Sequence, residues 1–421
     1  MNRLRIIGLF VVMMVSGFAA RAQEVVYSQY EKFDARSDEF SVVGKSGDRV
    51  YAYHTSGKDH YLEAYNDNMD KLATVNLDFF PTKIYDTRFV ASPTQITVLY
   101  QAISGNKVLQ YAALLDDKGR LKKGPLQLGE AKTGLLGPTK DYYLSAVSED
   151  KKTVAVYNAN TKGGMLELEG KVIDADLNIT RRFKSTYKTE NNIEFGDVIV
   201  SNNGAIYVPA FTPVGQLNYA DQLFLLSLTA EGGNKFAVKE MQLDGRFASR
   251  VYIKIDNANS RIYVGGFYSG KKGGNFEGVL YAYYDIATGN FENRKFIEFD
   301  THIQRASGER NVNRAFNDFN IKQLIVKNDG GFVMVSEESY ISNRSSFAPG
   351  FGYYSMYYPA MSQNIREYYY NDILALSYNG DGVREWYSFV RKQQYSQEDG
   401  GRFSSYAFLN SGAALGFLFN D

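Results

Sequence analysis

Four aspartates recur at one place in a repeated pattern. Asp86, Asp141, Asp197 and Asp318 each head a short apolar run, Asp86-Thr-Arg-Phe-Val-Ala being typical, and Arg250 stands at the same place in a fifth. Carboxylates gathered round one opening would hold a cation or a polar ligand. Two at a suitable separation would cleave a glycosidic bond, one as acid and the other as base or nucleophile. The competing use of such residues is local, since Asp entering a strand commonly caps the preceding turn. A second chemistry-bearing stretch is Phe351-Gly-Tyr353-Tyr354-Ser-Met-Tyr357-Tyr358-Pro, followed by Tyr368-Tyr-Tyr. Exposed tyrosines offer stiff contact area with a polar tip, suited to sugar rings or a protein surface.

Other chemistries are excluded or unsupported. Cys is absent, which removes disulfides, thiolate metal sites and a Cys nucleophile. His54, His60 and His302 are scattered along the chain and give no metal spacing, so no metal is expected. No Gly-x-Ser-x-Gly elbow, Walker loop or dinucleotide fingerprint occurs, and no cofactor is implied. The Gly-rich Ser269–Gly274 stretch has no strand-to-helix context for a phosphate. With 47 basic against 47 acidic residues, there is no electrostatic footprint for nucleic acid.

The elements that must position these residues are strands. Seven runs, each introduced by a polar or Gly turn, share one pattern: those beginning at Asp48, Gln95, Lys152, Gly204, Ser260, Gly331 and Gly412. After six of them comes a hairpin whose turn is rich in Asp, Asn or Gly, as in Gly278-Val-Leu-Tyr-Ala-Tyr-Tyr-Asp-Ile-Ala-Thr-Gly289. The runs headed by the aspartates lie between units. Each repeat therefore holds four strands, with a period of about fifty residues in mid-chain, the pattern of an all-β propeller with four-stranded antiparallel blades. Seven blades are expected, with Val25–Phe33 as a spare strand that pairs with the incomplete seventh unit. The aspartate-headed strands would then be innermost, ringing a central channel.

Long connections are expected on one face only: Thr212–Asp221, Tyr268–Glu277, Thr301–Phe316 and Ser339–Tyr370. Long loops on a rigid scaffold concentrate binding, so that face is assigned to function. Trp386 is expected between blades. Residues 1–22 read as a signal peptide: Arg3 and Arg5, an apolar run Ile6–Ala20, and Ala20-Arg21-Ala22 at the cleavage site. The mature domain would span 23–421, with no later transmembrane segment.

Tyr283-Tyr-Asp-Ile-Ala-Thr-Gly289 and Ala375-Leu-Ser-Tyr-Asn-Gly-Asp-Gly-Val-Arg-Glu-Trp386 resemble the outer-strand motif of quinoprotein-type bacterial propellers. The resemblance covers two repeats and implies fold alone, since no quinone ligand is matched. The stretch Asp372–Asp421 is similar to exported propeller-like proteins of Gram-negative bacteria that have no assigned activity. It implies compartment as well as fold. If the chain is complete, its ending within the repeats without an appended sorting domain would favour the periplasm over the cell surface; the alternative is that the natural chain continues beyond Asp421. The expectation is an exported binding or scaffolding propeller that holds a protein or glycan of the cell envelope. A glycoside hydrolase or lyase using channel-mouth carboxylates is the alternative.

Overall fold

Alternating apolar and aromatic residues dictate the strand at the heart of each repeat. Tyr51, Tyr100, Tyr157, Tyr207, Tyr263 and Phe332 occupy corresponding runs and are all buried. The computed structural model describes residues 26–30, 38–133, 142–162, 165–189, 193–214, 219–346, 363–401, 404–412 and 414–420. They form an all-β chain of antiparallel sheets, which divides into two units, Met1–Tyr143 with Ala175–Asn178, and Leu144–Asp174 with Ile179–Asp421.

The first unit holds two propeller-type, four-stranded meanders. Sheet one runs Asp38–Ser46, Arg49–Ser56, Asp59–Tyr65, Lys71–Asn76; sheet two runs Ile84–Ala91, Gln95–Ser104, Lys107–Asp116, Leu121–Lys132. Strands adjacent in sequence are adjacent in the sheet. Tyr51, Leu62, Ile96, Val98 and Tyr100 pack between the two sheets.

In the second unit, sheet three consists of Leu144–Val147, Val154–Lys162, Met165–Ile173 and Ile179–Lys188. Sheet four comprises two short pieces, Glu194–Phe195 and Ile199–Val200, with Ile206–Val214, Tyr219–Leu228 and Ala237–Met241. A single bridge, Ala220 to Ala248, joins it to sheet five, which is Phe247–Asp256, Arg261–Ser269, Gly278–Asp285 and Asn290–Glu298. Sheet six is Phe319–Val326, Phe332–Ser346, Gln363–Tyr378 and Arg384–Val390, with Gln394–Gln397 added on the outer flank of Gln363–Tyr378. The hairpin Ala407–Asn410 with Leu415–Leu418 follows, and its Phe408, Leu415 and Phe417 pack on Val333, Val335 and Ile373.

Six of the seven runs of the shared pattern form the strand that follows the first strand of a meander; the seventh, at Gly412, gives Leu415–Leu418 of the two-stranded hairpin. The short turns are tight as expected: Asp285 Oδ1 accepts the backbone N–H groups of Ala287 at 3.0 Å and Thr288 at 2.9 Å, which closes a hairpin turn. The first strand carries a bulge in four meanders, at Val42/Gly44, Ile84/Asp86, Ser249/Tyr252 and Ile321/Gln323. A bulge sharpens twist and re-aims side chains.

Several expectations need correction. Val26–Tyr30 makes no strand, and Tyr27 and Tyr30 are 81% and 95% exposed; the rest of the proposed spare strand lies outside the described residues. The first strand of sheet one is instead Asp38–Ser46. Much of Ser339–Tyr370 is ladder rather than loop, with Ser339 opposite Tyr370 and Ser346 opposite Gln363. Thr212–Asp221 likewise continues as paired strand, apart from residues outside the description. Thr301–Phe316 contains a short helix, α1 (Thr301–Ala306), whose N-cap Asp300 accepts the Ile303 N–H at 2.9 Å, and a 3-10 turn at Val312–Arg314. Trp386 is 42% exposed on the outermost strand, so it does not pack between sheets. Residues 1–22 lie outside the description; among the described residues no helix is long and apolar enough to cross a membrane.

Candidate functional site

The described residues among the predicted site lie on different sheets. Asp86 lies in the first unit at the bulge of its strand, exposed, where its Oδ2 accepts Gln101 Nε2 at 3.2 Å. Asp141, Tyr353, Tyr354, Tyr357 and Tyr358 lie outside the described residues. Asp197 is exposed in the link between two short strands of sheet four. Arg250 is exposed at the bulge of sheet five, with a left-handed φ of 53°. Among the described site residues, Asp318 enters a constellation, at the long-connection end of sheet six.

That constellation is built by a register fault. Glu337 pairs with Ile373 and Ser339 with Tyr370, so Glu338 opposes two residues, Asn371 and Asp372. The ladder is tied to the next strand here, because Ser339 N–H donates to Asp318 O at 2.9 Å and Asn320 Nδ2 to Ser339 O at 2.9 Å. Half-buried Glu338 therefore shares this corner with Asp372, Asp318, Glu309 and Asn371. Burial, reinforced by the charges of Asp372 and Asp318, holds the Glu338 carboxyl above the usual carboxylate range. Asp372 is paired with Arg391, which also donates to the carbonyls of Ala306 and Ser307, fastening the end of α1 to the sheet. Among the described residues, no group of three or more His, Asp or Glu converges on a metal-sized site. The corner suits proton handling or hydrogen bonding.

Two residues along the ladder from Glu338 stands an aromatic row. Tyr340 pairs directly with Tyr369, and Tyr369 with Tyr395 on the added strand. The first two rings stack at 4.7 Å and 15°, and Tyr369 meets Tyr395 at 5.1 Å. Tyr340 and Tyr395 are 40% and 49% exposed, and neighbouring Ile341 61%. Buried Glu367 sets the rings: it accepts Tyr395 OH at 2.8 Å and Tyr369 OH at 3.4 Å. Burial, then the Glu338 and Asp318 charges, push the Tyr340 hydroxyl up, which ties the row electrically to the acidic corner.

The opposite side of the same strands holds a buried ion cluster. Glu337 is fully buried and Lys392 is 1% exposed; Lys392 Nζ lies 2.8 Å from Glu337 Oε1. Lys322, re-aimed by the bulge of its strand, lies 3.4 Å from Oε2. Ser405 Oγ donates to Oε2 at 2.7 Å, and Lys392 also donates to Tyr370 O at 2.9 Å and Gln394 Oε1 at 3.0 Å. Gln394 in turn donates to Asn420 O at 2.6 Å. This cluster holds the C-terminal segment to sheet six.

Sequence reasoning missed Glu338, Asp372 and Glu367. The Glu337-Glu338 doublet closing an otherwise apolar strand was their one visible signal. Tyr369 was noticed within its Tyr triplet, but its partners across the ladder were not.

No protein-family model matches the chain, and no curated protein matches it in sequence. Among solved structures, the chain is similar to prolyl oligopeptidase B from Galerina marginata, at 11% identity and a TM-score of 0.40, over 90% of this chain and 54% of that one. A structure from an analysis of two prolyl endopeptidases matches at 10% identity and a TM-score of 0.41, over 89% and 52%. Synechocystis apocarotenoid oxygenase matches at 10% identity and a TM-score of 0.36, over 84% and 73%. The chain spans about half the length of the prolyl oligopeptidase. None of these proteins' chemistry is transferred to it.

Proposed function

We propose that the mature chain is an exported, periplasmic propeller of seven blades that binds an extended glycan along the long-connection end of sheet six. The observation that carries the reading is the row Tyr340–Tyr369–Tyr395, partly exposed and held abreast on three strands. At the usual strand spacing such a row is about 10 Å across, enough for a short oligosaccharide to lie over it. The rings are tethered by Glu367 before any ligand arrives, so little side-chain freedom is lost on binding. Glu338, Asp318 and Asp372 supply acceptors for sugar hydroxyls at one end.

Affinity electrophoresis in gels containing envelope polysaccharides, with the full-length mature chain, tests this. Tyr340→Ala and Tyr395→Ala should each weaken retardation about tenfold, or ~1.4 kcal/mol. Unchanged mobility of both variants, or no retardation of the wild type by any polysaccharide, refutes it.

One observation favours a second reading, cleavage of the bound glycan. Glu338 holds its proton above the usual range beside two other carboxylates, as a general acid requires. Release of reducing ends by the wild type, abolished in Glu338→Gln with binding retained, would convert the binding protein into a hydrolase.

A further inference from the structure

We propose that the opposite, short-turn end of sheets five and six carries a separate site for a small zwitterion, a free α-amino acid with both its carboxylate and its ammonium group. A polar cavity of about 420 Å³ lies there, with Arg261, Tyr283 and Asn293 from sheet five and Asp329, Asn379 and Asp381 from two turns of sheet six in its lining. Its volume lies within the roughly 300–1,000 Å³ range of small-molecule sites.

The walls are held rigidly. Tyr281 OH donates to Gly330 O at 3.2 Å, Lys295 Nζ donates to Gly380 O at 2.8 Å, and the Tyr281 and Phe332 rings stack at 4.0 Å. Asn379 Oδ1 accepts the N–H groups of Asp381 at 3.0 Å and Val383 at 2.9 Å, fixing one turn. Asp329 Oδ1 accepts the Gly331 N–H at 2.9 Å and fixes the other. The turns touch so closely that a Cβ on Gly380 would come within 2.6 Å of Asp329 O.

Charge selects the ligand class. The Arg261 guanidinium lies 4.2 Å from the Tyr283 ring centroid and also meets the Tyr263 side chain, which together pin it to the wall. It is a fixed donor for a carboxylate. Asp381 is exposed on one facing turn; on the other, half-exposed Asp329 already has Lys327 Nζ at 3.5 Å, so Asp381 is the carboxylate that would take the ammonium group. A simple anion would meet two carboxylates, and a simple cation would meet the guanidinium. A neutral polyol would displace water from Arg261 and Asp381 and neutralise neither. A ligand bearing both charges satisfies both walls.

Isothermal titration of the full mature chain with L-alanine, L-lysine, N-acetyl-L-alanine, L-alanine methyl ester and glucose decides the matter. The free amino acids should bind, and masking either charge should weaken binding at least tenfold. Arg261→Met and Asp381→Asn should do the same, while Tyr340→Ala at the other end leaves binding unchanged. Should Arg261→Met misfold, Arg261→Lys, which keeps the charge but loses the fork, and Asp381→Asn on its exposed turn carry the test. Equal binding of a masked probe, preference for glucose, no binding of any probe at about 10 mM, or wild-type affinity in the variants overturns the proposal.

Discussion

Replacing Lys392 with methionine keeps the length of the side chain and removes its charge. In the folded chain that charge sits 1% exposed against fully buried Glu337, so the variant strands a carboxylate in an apolar stack that includes Val333 and Val335. Breaking such a pair from one side costs about 3–5 kcal/mol. Lys322 remains 3.4 Å from the same carboxylate with 35% of its side chain exposed, and Ser405 still donates to it, so the lower end, about 3 kcal/mol, is expected. The double variant Glu337→Met with Lys392→Met removes both charges. It takes the carboxylate from Ser405 Oγ and from part-exposed Lys322 and the ammonium donor from Tyr370 O, while Gln394 Oε1 keeps the Ser405 N–H, so each lost bond costs about 1–2 kcal/mol, against the relief of two desolvated ions. The double variant should therefore be more stable than Lys392→Met alone. Urea unfolding followed by circular dichroism and by fluorescence of Trp386, the only Trp, measures both. Hydrogen exchange should show the hairpin Ala407–Leu418 opening first in the single variant. A loss below about 1 kcal/mol for Lys392→Met, or a double variant as destabilised as the sum of both singles, would refute the account.

Glu338 gives a pH-dependent prediction. Its proton is held more tightly in the folded chain than in the unfolded one, so its contribution to stability is full below the ordinary glutamate range and is lost as pH rises through the elevated folded value. Glu338→Gln should thus raise the melting temperature at pH 7–8, and the gain should vanish near pH ~4. Glu63 in sheet one has the opposite sign. Burial opposes its charge, but hydrogen bonds from Lys71 and Tyr65 prevail and lower its value, so the stability it lends falls away as acid protonates it. Glu63→Gln should flatten the acid limb of a stability-versus-pH curve. Gly278→Ala would place a Cβ 2.1 Å from Ile297 O in the ladder of sheet five and should cost about 1–3 kcal/mol by denaturant titration.

What the sequence made legible is what burial on both faces writes into it. Val50–Tyr53, Ile96–Tyr100 and Ile262–Gly265 are short, near-continuous apolar runs set between turns that need left-handed glycine, such as Gly47 at φ 61°, so strands and short turns could be read directly. Strand Asp38–Ser46 escaped because it offers no apolar face: Phe40 and Val42 are 54% and 72% exposed, and a bulge breaks its register. The lack of a continuous apolar run likewise made Ser339–Tyr370 look like loop, although cross-strand pairs such as Tyr340–Tyr369 sustain the ladder there. Register is invisible in a single chain. The bulge that sets Glu338 opposite Asn371 and Asp372, and the approach of Lys392 to Glu337, are pairings between distant segments with no local signature. The candidate aspartates were visible for the converse reason: their place in each repeat is a local feature, and of the described ones Asp318 is drawn by tertiary pairing into a cluster.

Sheet six joins these features mechanically. Lys392 donates to the carbonyl of Tyr370, the residue after Tyr369, and stands just before Gln394–Gln397, the strand that brings Tyr395 to the row. Gln394, bonded to Lys392, pairs with Tyr370 across the same ladder. The buried ion cluster therefore fixes where the third tyrosine lies, while the bulge at Glu338 fixes the acidic corner at the other end. It follows that Lys392→Met should weaken glycan retardation even where the protein remains folded, by releasing Tyr395 and leaving Tyr340 stacked on Tyr369. In that variant a further Tyr395→Ala substitution should have little additional effect on retardation, whereas Tyr340→Ala should retain its full effect. Equal losses from both substitutions in the Lys392→Met background would separate the ion cluster from the binding row.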